Sequence, residues 1–243
     1  MPVVLEVAGL SKRYGEIVVA DAVDLSVERG ICLGVIGPNG AGKTSLFNLL
    51  DGSVRADAGR ILLDGREVTR LARHRRARLG IARAYQIPQP FPDLTVFENV
   101  LVAATFGAGL AGTRAGLWAM EVLELVGLAA RSETVAGGLG LLDRKRLELA
   151  KAVAAKPKLL LLDEIAGGLT EQEVLVLVEL VRTLKPQHAV IWIEHIAHAL
   201  AATADRLMVL HFGRKLVEGE PNAILASAEV REIYLGIAVD AAA

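Results

Sequence analysis

The sequence lacks the features of a secreted, disulfide-stabilised chain or of a chain with a strong charge. It contains one cysteine, Cys32, so no intramolecular disulfide can form, which is typical of a protein from a reducing compartment. Its 27 basic and 28 acidic residues nearly cancel, so the net charge provides no attraction to nucleic acid or anionic lipid. The N-terminus has no basic segment followed by an apolar stretch, and we expect no signal peptide.

Long hydrophobic runs are also missing, although 53% of the 243 residues are hydrophobic. The longest stretch without a charged residue, Asn99 to Thr113, contains three glycines, whereas a membrane-spanning helix needs about 20 mostly apolar residues. The composition therefore predicts a globular chain with a sizeable core. Its length fits one domain, or a core with one subdomain.

Apolar segments and helical patterns alternate along most of the chain. The pattern of Glu171–Leu184 predicts a helix. A half-buried strand is predicted near residues 3–7, a second apolar segment spans 23–27, and buried strands are predicted at 31–36, 159–162, 189–193 and 207–210. The alternation predicts an α/β fold with a mainly parallel sheet that has helices on both faces.

The middle of the chain, from about residue 97 to residue 155, shows helical patterns and no convincing strand. Helices are predicted at 121–127, where a glycine ends the pattern, and at 144–155, before a proline. We therefore predict a single domain over residues 1–243, with an α/β core at about 1–90 and 156–243 and an inserted helical subdomain at about 91–155. The last three alanines, 241–243, are expected to be frayed.

A glycine-rich segment follows the predicted strand 31–36 and precedes a predicted helix, Thr44–Leu50. It matches G-x-x-x-x-G-K-[ST] at every specified position. Its glycines let backbone N–H groups curl around a phosphate, Lys43 supplies a charge between the β- and γ-phosphates, and the Thr44 hydroxyl suits Mg²⁺. A chance match in a glycine-rich turn is the alternative. The predicted ATP-binding residues are Gly37, Pro38, Asn39, Gly40, Ala41, Gly42, Lys43, Thr44 and Ser45.

Two acidic residues, Asp163 and Glu164, follow a run of four leucines. Carboxylates at the carboxyl end of a parallel strand lie in the crevice where α/β proteins bind ligands. Asp163 is placed to support Mg²⁺, directly or through water, and Glu164 to accept a proton from an attacking water. The alternative is an ordinary exposed strand end. Coming after the glycine-rich segment, the pair predicts ATP hydrolysis with ATP and Mg²⁺ bound.

These segments resemble the ATP-binding cassette (ABC) ATPases over nearly the whole chain, which implies a P-loop core with an antiparallel β portion beside the mainly parallel sheet. The likeness rests on the order and spacing of Gly37–Thr44, Gln86, 159–164 and His195. It implies that Gln86 contacts Mg²⁺, that His195 and Lys43 contact the γ-phosphate during catalysis, and that Tyr14 stacks on adenine. Taken alone, a histidine such as His195 is more often structural or solvent-facing, and a tyrosine such as Tyr14 is more often an ordinary core or surface aromatic.

The chain departs from that family at its signature loop, which usually reads Leu-Ser-Gly-Gly-Gln. Counting back from the following helix places Leu139–Asp143 there, with Gly140 in place of the serine and leucines in place of both glycines. A second register uses Gly137–Gly138 but needs an insertion of about one helical turn. Ile165 replaces a proline, and Gly168–Thr170 replaces a loop that often carries aspartate. Members of this family form head-to-tail dimers in which each ATP lies between the glycine-rich loop of one chain and the signature loop of the other. Because the signature loop of this chain is altered, our hypothesis is a heterodimer with a second ABC ATPase subunit.

Two further segments, Gln86–Val100 and Gly219–Gly236, resemble the branched-chain, or hydrophobic, amino-acid uptake group. The resemblance implies an importer subunit that docks on integral-membrane permease subunits through apolar residues such as Phe91 and works indirectly with a solute-binding protein. It implies a cytoplasmic location, peripheral on the inner face of the cell membrane. Two alternatives are a nucleotide-binding regulatory subunit and a soluble ABC ATPase that acts outside transport.

Arginines are concentrated in one short segment, which raises the question of nucleic-acid binding. No interleaved aromatics support base stacking, and glutamates elsewhere balance the charge. We therefore interpret the segment as a solvated helix face and expect no nucleic-acid partner. The arginines concerned are Arg70, Arg73, Arg75, Arg76, Arg78 and Arg83.

Overall fold

The computed structural model describes residues 2–235, and ten strands lie in that range. The predicted frayed end at 241–243 and the last residue of the 219–236 resemblance lie outside the described residues. The strands are β1 (Val3–Tyr14), β2 (Ile17–Glu28), β3 (Cys32–Ile36), β4 (Ala58–Leu63), β5 (Arg66–Glu67), β6 (Ile81–Ala84), β7 (Leu159–Asp163), β8 (Ala189–Ile193), β9 (Arg206–His211) and β10 (Arg214–Gly219).

Nine α-helices lie in the same described range. They are α1 (Lys43–Asp51), α2 (Arg73–Leu79), α3 (Val96–Phe106), α4 (Gly112–Leu125), α5 (Leu141–Ala154), α6 (Glu171–Leu184), α7 (Ala197–Thr203), α8 (Pro221–Ala226) and α9 (Ala228–Leu235). The helix predicted at 171–184 is confirmed. The helices predicted at 121–127 and 144–155 begin earlier in the structure than predicted. The helical period is hidden in α4 by glycines and polar residues of its first turns, and in α5 by the leucines that begin it.

The larger sheet has the strand order β10-β9-β3-β8-β7-β6. The five strands from β9 to β6 in this order run parallel to one another. The strand β10 lies at the edge beside β9 and pairs antiparallel with it. A second, antiparallel sheet has the order β2-β1-β4-β5. The predicted class, an α/β core with a mainly parallel sheet and an antiparallel portion, is confirmed.

Each buried strand of the parallel sheet contributes to two separate cores, because successive side chains of a strand point to opposite faces. In β7, Leu160 and Leu162 belong to the core that includes residues of α3 to α6. Leu159 and Leu161 belong to the core that includes α1 and the antiparallel sheet. Covering on both faces explains why the strand reads as a continuous run of leucines.

The three helices α3, α4 and α5 connect β6 to β7 and pack on one another. Residues 97–155 contain no strand, as predicted, and only an isolated bridge joins Val135 to Thr95. The side chains of Thr95 and Glu98 form a capping box that begins α3. None of the helices within residues 2–235 has the length and apolarity that crossing a membrane requires.

Candidate nucleotide-binding site

The predicted site residues follow four neighbouring strands of the parallel sheet. Gly37 follows β3, His195 comes shortly after β8, Asp163 ends β7, and Gln86 comes shortly after β6. The carboxyl ends of parallel strands meet at one edge of a sheet, where ligands of open α/β folds bind. The topology therefore places the segments that were predicted to bind phosphate, to bind Mg²⁺ and to activate water along one edge of the sheet.

The glycine-rich loop leaves the first turn of α1 open to an anion. No side chain caps α1 and no acidic residue lies in its first turn, so its N-terminal N–H groups and its dipole suit a phosphate. Gly42 has φ of 101°, and a Cβ built there would lie 2.4 Å from the carbonyl oxygen of Val19. Only glycine fits at this position, which explains the sequence requirement of the loop.

Lys43 is folded back over the loop that precedes it. Its Nζ donates to the carbonyl oxygens of Gly37 and Pro38 at 2.7 and 3.0 Å. Burial lowers the pKa of Lys43, while the charges of Glu164 and Asp163 oppose that shift. The ammonium group therefore sits within the loop that would receive the phosphates, with weak carbonyl partners that an anion can replace.

Glu164 is the centre of a polar cluster at the sheet edge. Its Oε2 accepts from Gln86 Nε2 at 2.6 Å, and its Oε1 lies 2.8 Å from His195 Nε2. The backbone of Glu164 has φ of 45°, the left-handed region that non-glycine residues seldom adopt. The structure thus brings together three side chains that are far apart in sequence, and it holds the carboxylate that was predicted as the general base.

Asp163 is held by an arginine that the sequence interpretation missed. Arg83 donates to Asp163 at 2.5 Å and, through its other terminal nitrogen, to Asp51 at 2.9 Å and Asn48 at 2.8 Å. Burial disfavours the charged guanidinium, but Asp163 and Asp51 outweigh it and raise the pKa of Arg83. The arginine therefore connects the strand that carries Asp163 to helix α1.

The interpretation of 70–83 as a solvated face is wrong for two arginines. Arg83 lies in β6, and Arg76 is buried and donates to the carbonyl oxygens of Leu49, Leu50, Thr69 and Leu71. The other four are exposed. The apolar residues Ile81, Ala82 and Ala84 around Arg83 are the signal that could have identified a buried strand.

Two further charged residues near Glu164 were also missed. Lys145 of α5 donates to the carbonyl oxygen of Gln86 at 2.5 Å and reaches that of Glu164 at 3.5 Å. Glu194 accepts from the backbone N–H groups of Ala166 and His195, and burial raises its pKa. No sequence pattern marks either role, because both depend on loops that meet only in the folded chain.

The residues predicted for Mg²⁺ offer the oxygen donors that this ion prefers. Thr44 has a hydroxyl, Asp163 a carboxylate, and Gln86 an amide oxygen. The NH₂ group of Gln86 already donates to Glu164. Mg²⁺ typically binds through one or two such groups together with phosphate oxygens and water. The donor set therefore fits Mg²⁺ accompanying a nucleotide.

Two further elements of the site were predicted from the family resemblance. Tyr14 ends β1 and is 51% exposed, with Lys12 Nζ 5.0 Å from its ring centroid, and its stacking on adenine stays a prediction. The segment Leu139–Asp143 spans the start of α5, with Gly140 at the N-cap. Leu141 is 45% exposed and close to Gly168. An apolar side chain thus stands where the resemblance expects a phosphate-binding loop.

Comparison with known proteins agrees with this geometry. A family model described as ABC transporter matches residues 20–167. The chain is 37% identical to the high-affinity branched-chain amino acid transport ATP-binding protein BraF of Pseudomonas aeruginosa, over 96% of this chain and 98% of that protein. It is 34% identical to LivG of Escherichia coli, a protein of the same description, over 96% and 97%.

Solved structures give the same result. The ADP conformation of MJ1267, an ATP-binding cassette of an ABC transporter, superposes with a TM-score of 0.88 at 27% identity. That match covers 98% of this chain and 100% of the other. A nucleotide-free ATP-binding cassette from an ABC transporter superposes with a TM-score of 0.87 at 28% identity, over 97% and 100%. The chain therefore belongs to the ABC transporter family of ATP-binding proteins.

Proposed function

We propose that this chain binds ATP with Mg²⁺ and hydrolyses it to drive uptake of branched-chain or other hydrophobic amino acids by an importer. The cluster of Glu164, Gln86 and His195 beside the glycine-rich loop carries the hydrolytic part of this proposal. The solute is suggested by the relatives in Pseudomonas aeruginosa and Escherichia coli, which are high-affinity branched-chain amino acid transport ATP-binding proteins.

The proposed reaction converts ATP and water to ADP and phosphate. The N–H groups of the glycine-rich loop and Lys43 bind the phosphates and oppose the charge that develops on them. Glu164 accepts the proton of the attacking water, and His195 contacts the γ-phosphate. Mg²⁺, held by Thr44, Asp163 and Gln86, would neutralise charge on the β- and γ-phosphate oxygens when bound.

The proposed assembly includes a permease, a second ATPase subunit and, indirectly, a solute-binding protein. Ile87 and Phe91, just after Gln86, are 74% and 49% exposed. Exposed apolar residues of this kind are typical of protein contacts. Docking through them would place the chain on the inner face of the cell membrane. The leucines of Leu139–Asp143 offer fewer phosphate donors, which supports pairing with a different cassette.

The first experiment measures ATPase activity and MgATP affinity of the chain and of three variants. Glu164→Gln keeps the shape of the base but cannot take the proton, so we expect a loss of hydrolysis of at least 100-fold with MgATP still bound, roughly the contribution of a general base. Lys43→Ala should lose MgATP binding. Lys158→Ala, which removes a lysine paired with Asp64 on the surface, is the control. Full activity in Glu164→Gln would refute the assignment.

A second experiment tests the pairing and the regulatory alternative. We expect the purified chain alone to hydrolyse ATP weakly, and a partner cassette with a complete signature to restore activity. A homodimer with strong, symmetric hydrolysis would contradict heteromeric pairing. Absence of hydrolysis with every partner, while MgATP binds, would instead favour the nucleotide-binding regulatory subunit that the altered signature also permits. Leucine uptake by vesicles containing the full complex tests the solute.

A further inference from the structure

A second cavity lies at the edge of the parallel sheet opposite the nucleotide-binding site. It has a volume of about 590 Å³, within the range of small-molecule sites. Arg29 precedes β3, Pro157 precedes β7 and His188 precedes β8, and all three line it. Trp118 of α4 lines it as well. The length of a five-residue strand, about 16 Å, separates this edge from the phosphate loop.

One wall of the cavity is apolar. Leu125, Val153 and Leu184 line it together with Trp118. The indole N–H of Trp118 already donates to the carbonyl oxygen of Ala154 at 2.9 Å, so it offers no free donor to a ligand. A ligand held against this wall needs an aromatic or branched aliphatic body.

Two cations lie beside that wall without a carboxylate partner. Within residues 2–235, no carboxylate lies within ion-pair distance of Arg29 or Lys156. Arg29 donates to the carbonyl oxygen of Gln187 at 3.1 Å, and Lys156 Nζ lies 4.5 Å from the ring centroid of Trp118. Lys156 also adopts the left-handed φ of 52°. Two cations next to an apolar wall favour a ligand that carries a negative charge.

His188 is a further polar residue in the lining of the same cavity. Its Nδ1 lies 2.8 Å from the carbonyl oxygen of Pro157, and because a carbonyl only accepts, Nδ1 carries the proton. Burial lowers the pKa of His188, so the ring is neutral at physiological pH and Nε2 has a lone pair. The ring therefore adds no third positive charge beside Arg29 and Lys156.

We propose that this cavity is a binding site for a small organic anion with an aromatic or branched apolar body, separate from the nucleotide site. The negative group would lie between Arg29 and Lys156, and the apolar body against Trp118 and Leu125. The site is formed jointly by α4 of the helical layer and by the loops that enter the parallel sheet. Its occupant would therefore contact both parts of the chain.

The test uses two dyes that share one aromatic body. 8-Anilinonaphthalene-1-sulfonate carries an anionic group, and N-phenyl-1-naphthylamine does not. Titration of the full chain should give saturable fluorescence with both. In the double variant Arg29→Gln/Lys156→Asn, the anionic dye should bind at least 10-fold more weakly while the neutral dye changes less than about twofold. Asparagine is chosen because it tolerates the left-handed backbone of Lys156.

Matched variants distinguish the charge effect from a structural one. Arg66→Gln removes an exposed arginine of β5 far along the chain from this cavity, and it should bind both dyes as the original chain does. Trp118→Ala should weaken both dyes. Equal binding of the anionic dye by the double variant and by Arg66→Gln would overturn the proposal, as would a parallel loss of both dyes in the double variant. If the double variant does not fold, Lys156→Asn alone should still weaken the anionic dye about threefold.

Discussion

Replacement of Arg83 by methionine is the most informative perturbation of the site that the structure offers. The guanidinium joins Asp163 and Asp51, and the side chains of all three residues are less than 10% exposed. Methionine keeps much of the volume and removes every donor. Asp163 and Asp51 would then be two buried carboxylates without the cation that separates and neutralises them.

The expected magnitude follows from that burial. Removing one partner of a buried ion pair costs about 3 to 5 kcal/mol, because the other charge stays desolvated. For a chain of this length, 1 kcal/mol shifts the unfolding midpoint by about 2 to 4 °C. We therefore expect Arg83→Met to lower the midpoint by about 6 to 20 °C. Arg83→Lys should lie in between, because a lysine keeps the charge but lacks the fork that reaches both carboxylates.

The assay combines thermal unfolding with the Mg²⁺ dependence of ATP hydrolysis. If Arg83 has only a structural role, its replacement lowers the midpoint and leaves the Mg²⁺ requirement of the folded protein unchanged. If Arg83 also positions Asp163, its replacement raises the Mg²⁺ concentration that hydrolysis requires. Arg75→Met, on the exposed face of α2, is the matched control and should change stability by less than about 0.5 kcal/mol. An Arg83→Met variant as stable as Arg75→Met, with an unchanged Mg²⁺ requirement, would refute the reasoning.

Three shorter predictions concern the phosphate loop, a buried histidine and a helix cap. Gly42→Ala should abolish MgATP binding, measured by calorimetry, because its Cβ would meet the Val19 carbonyl oxygen at 2.4 Å. Burial lowers the pKa of His188 below 6.5, so unfolding takes up a proton and stability falls as pH drops below that value. The unfolding midpoint should thus fall more steeply from about pH 7.5 to about pH 5.5 than in His188→Gln. Thr170→Ala should cost about 1 kcal/mol by uncapping α6.

The sequence was sufficient to predict the elements whose local pattern matches their surroundings. The run 159–162 is apolar because β7 is covered on both faces, and 171–184 has a helical period because α6 buries one face. The loop at Gly37–Thr44 was recognisable because each glycine meets a local backbone requirement. In these cases short-range sequence and long-range packing favour the same structure.

Elements that depend on distant contacts were not predictable in the same way. The strand β6 has four residues, one of them Arg83, and it is stabilised as a strand by pairing with β7. The start of α4 contains Gly112 and Gly116, which oppose helix formation, but α4 packs on α3 and α5. Tertiary contacts outweigh local preference there, and no single-sequence pattern reports them.

The arrangement around Glu164 connects the proposed docking surface to the proposed chemistry. Gln86 donates to Glu164 and is followed immediately by the exposed Ile87. Lys145 of α5 binds the carbonyl oxygen of Gln86 and reaches that of Glu164, so α5 restrains both backbone segments. A partner that displaced Ile87 or α5 would therefore alter the hydrogen bonds of Glu164, the proposed general base. Gln86, which bonds to Glu164, is next to Ile87 in the chain, and Lys145, which also reaches Glu164, lies in α5. The proposed coupling of transport to hydrolysis could use this short path, and exchange of Ile87 for a polar residue, with hydrolysis and uptake measured together, would test it.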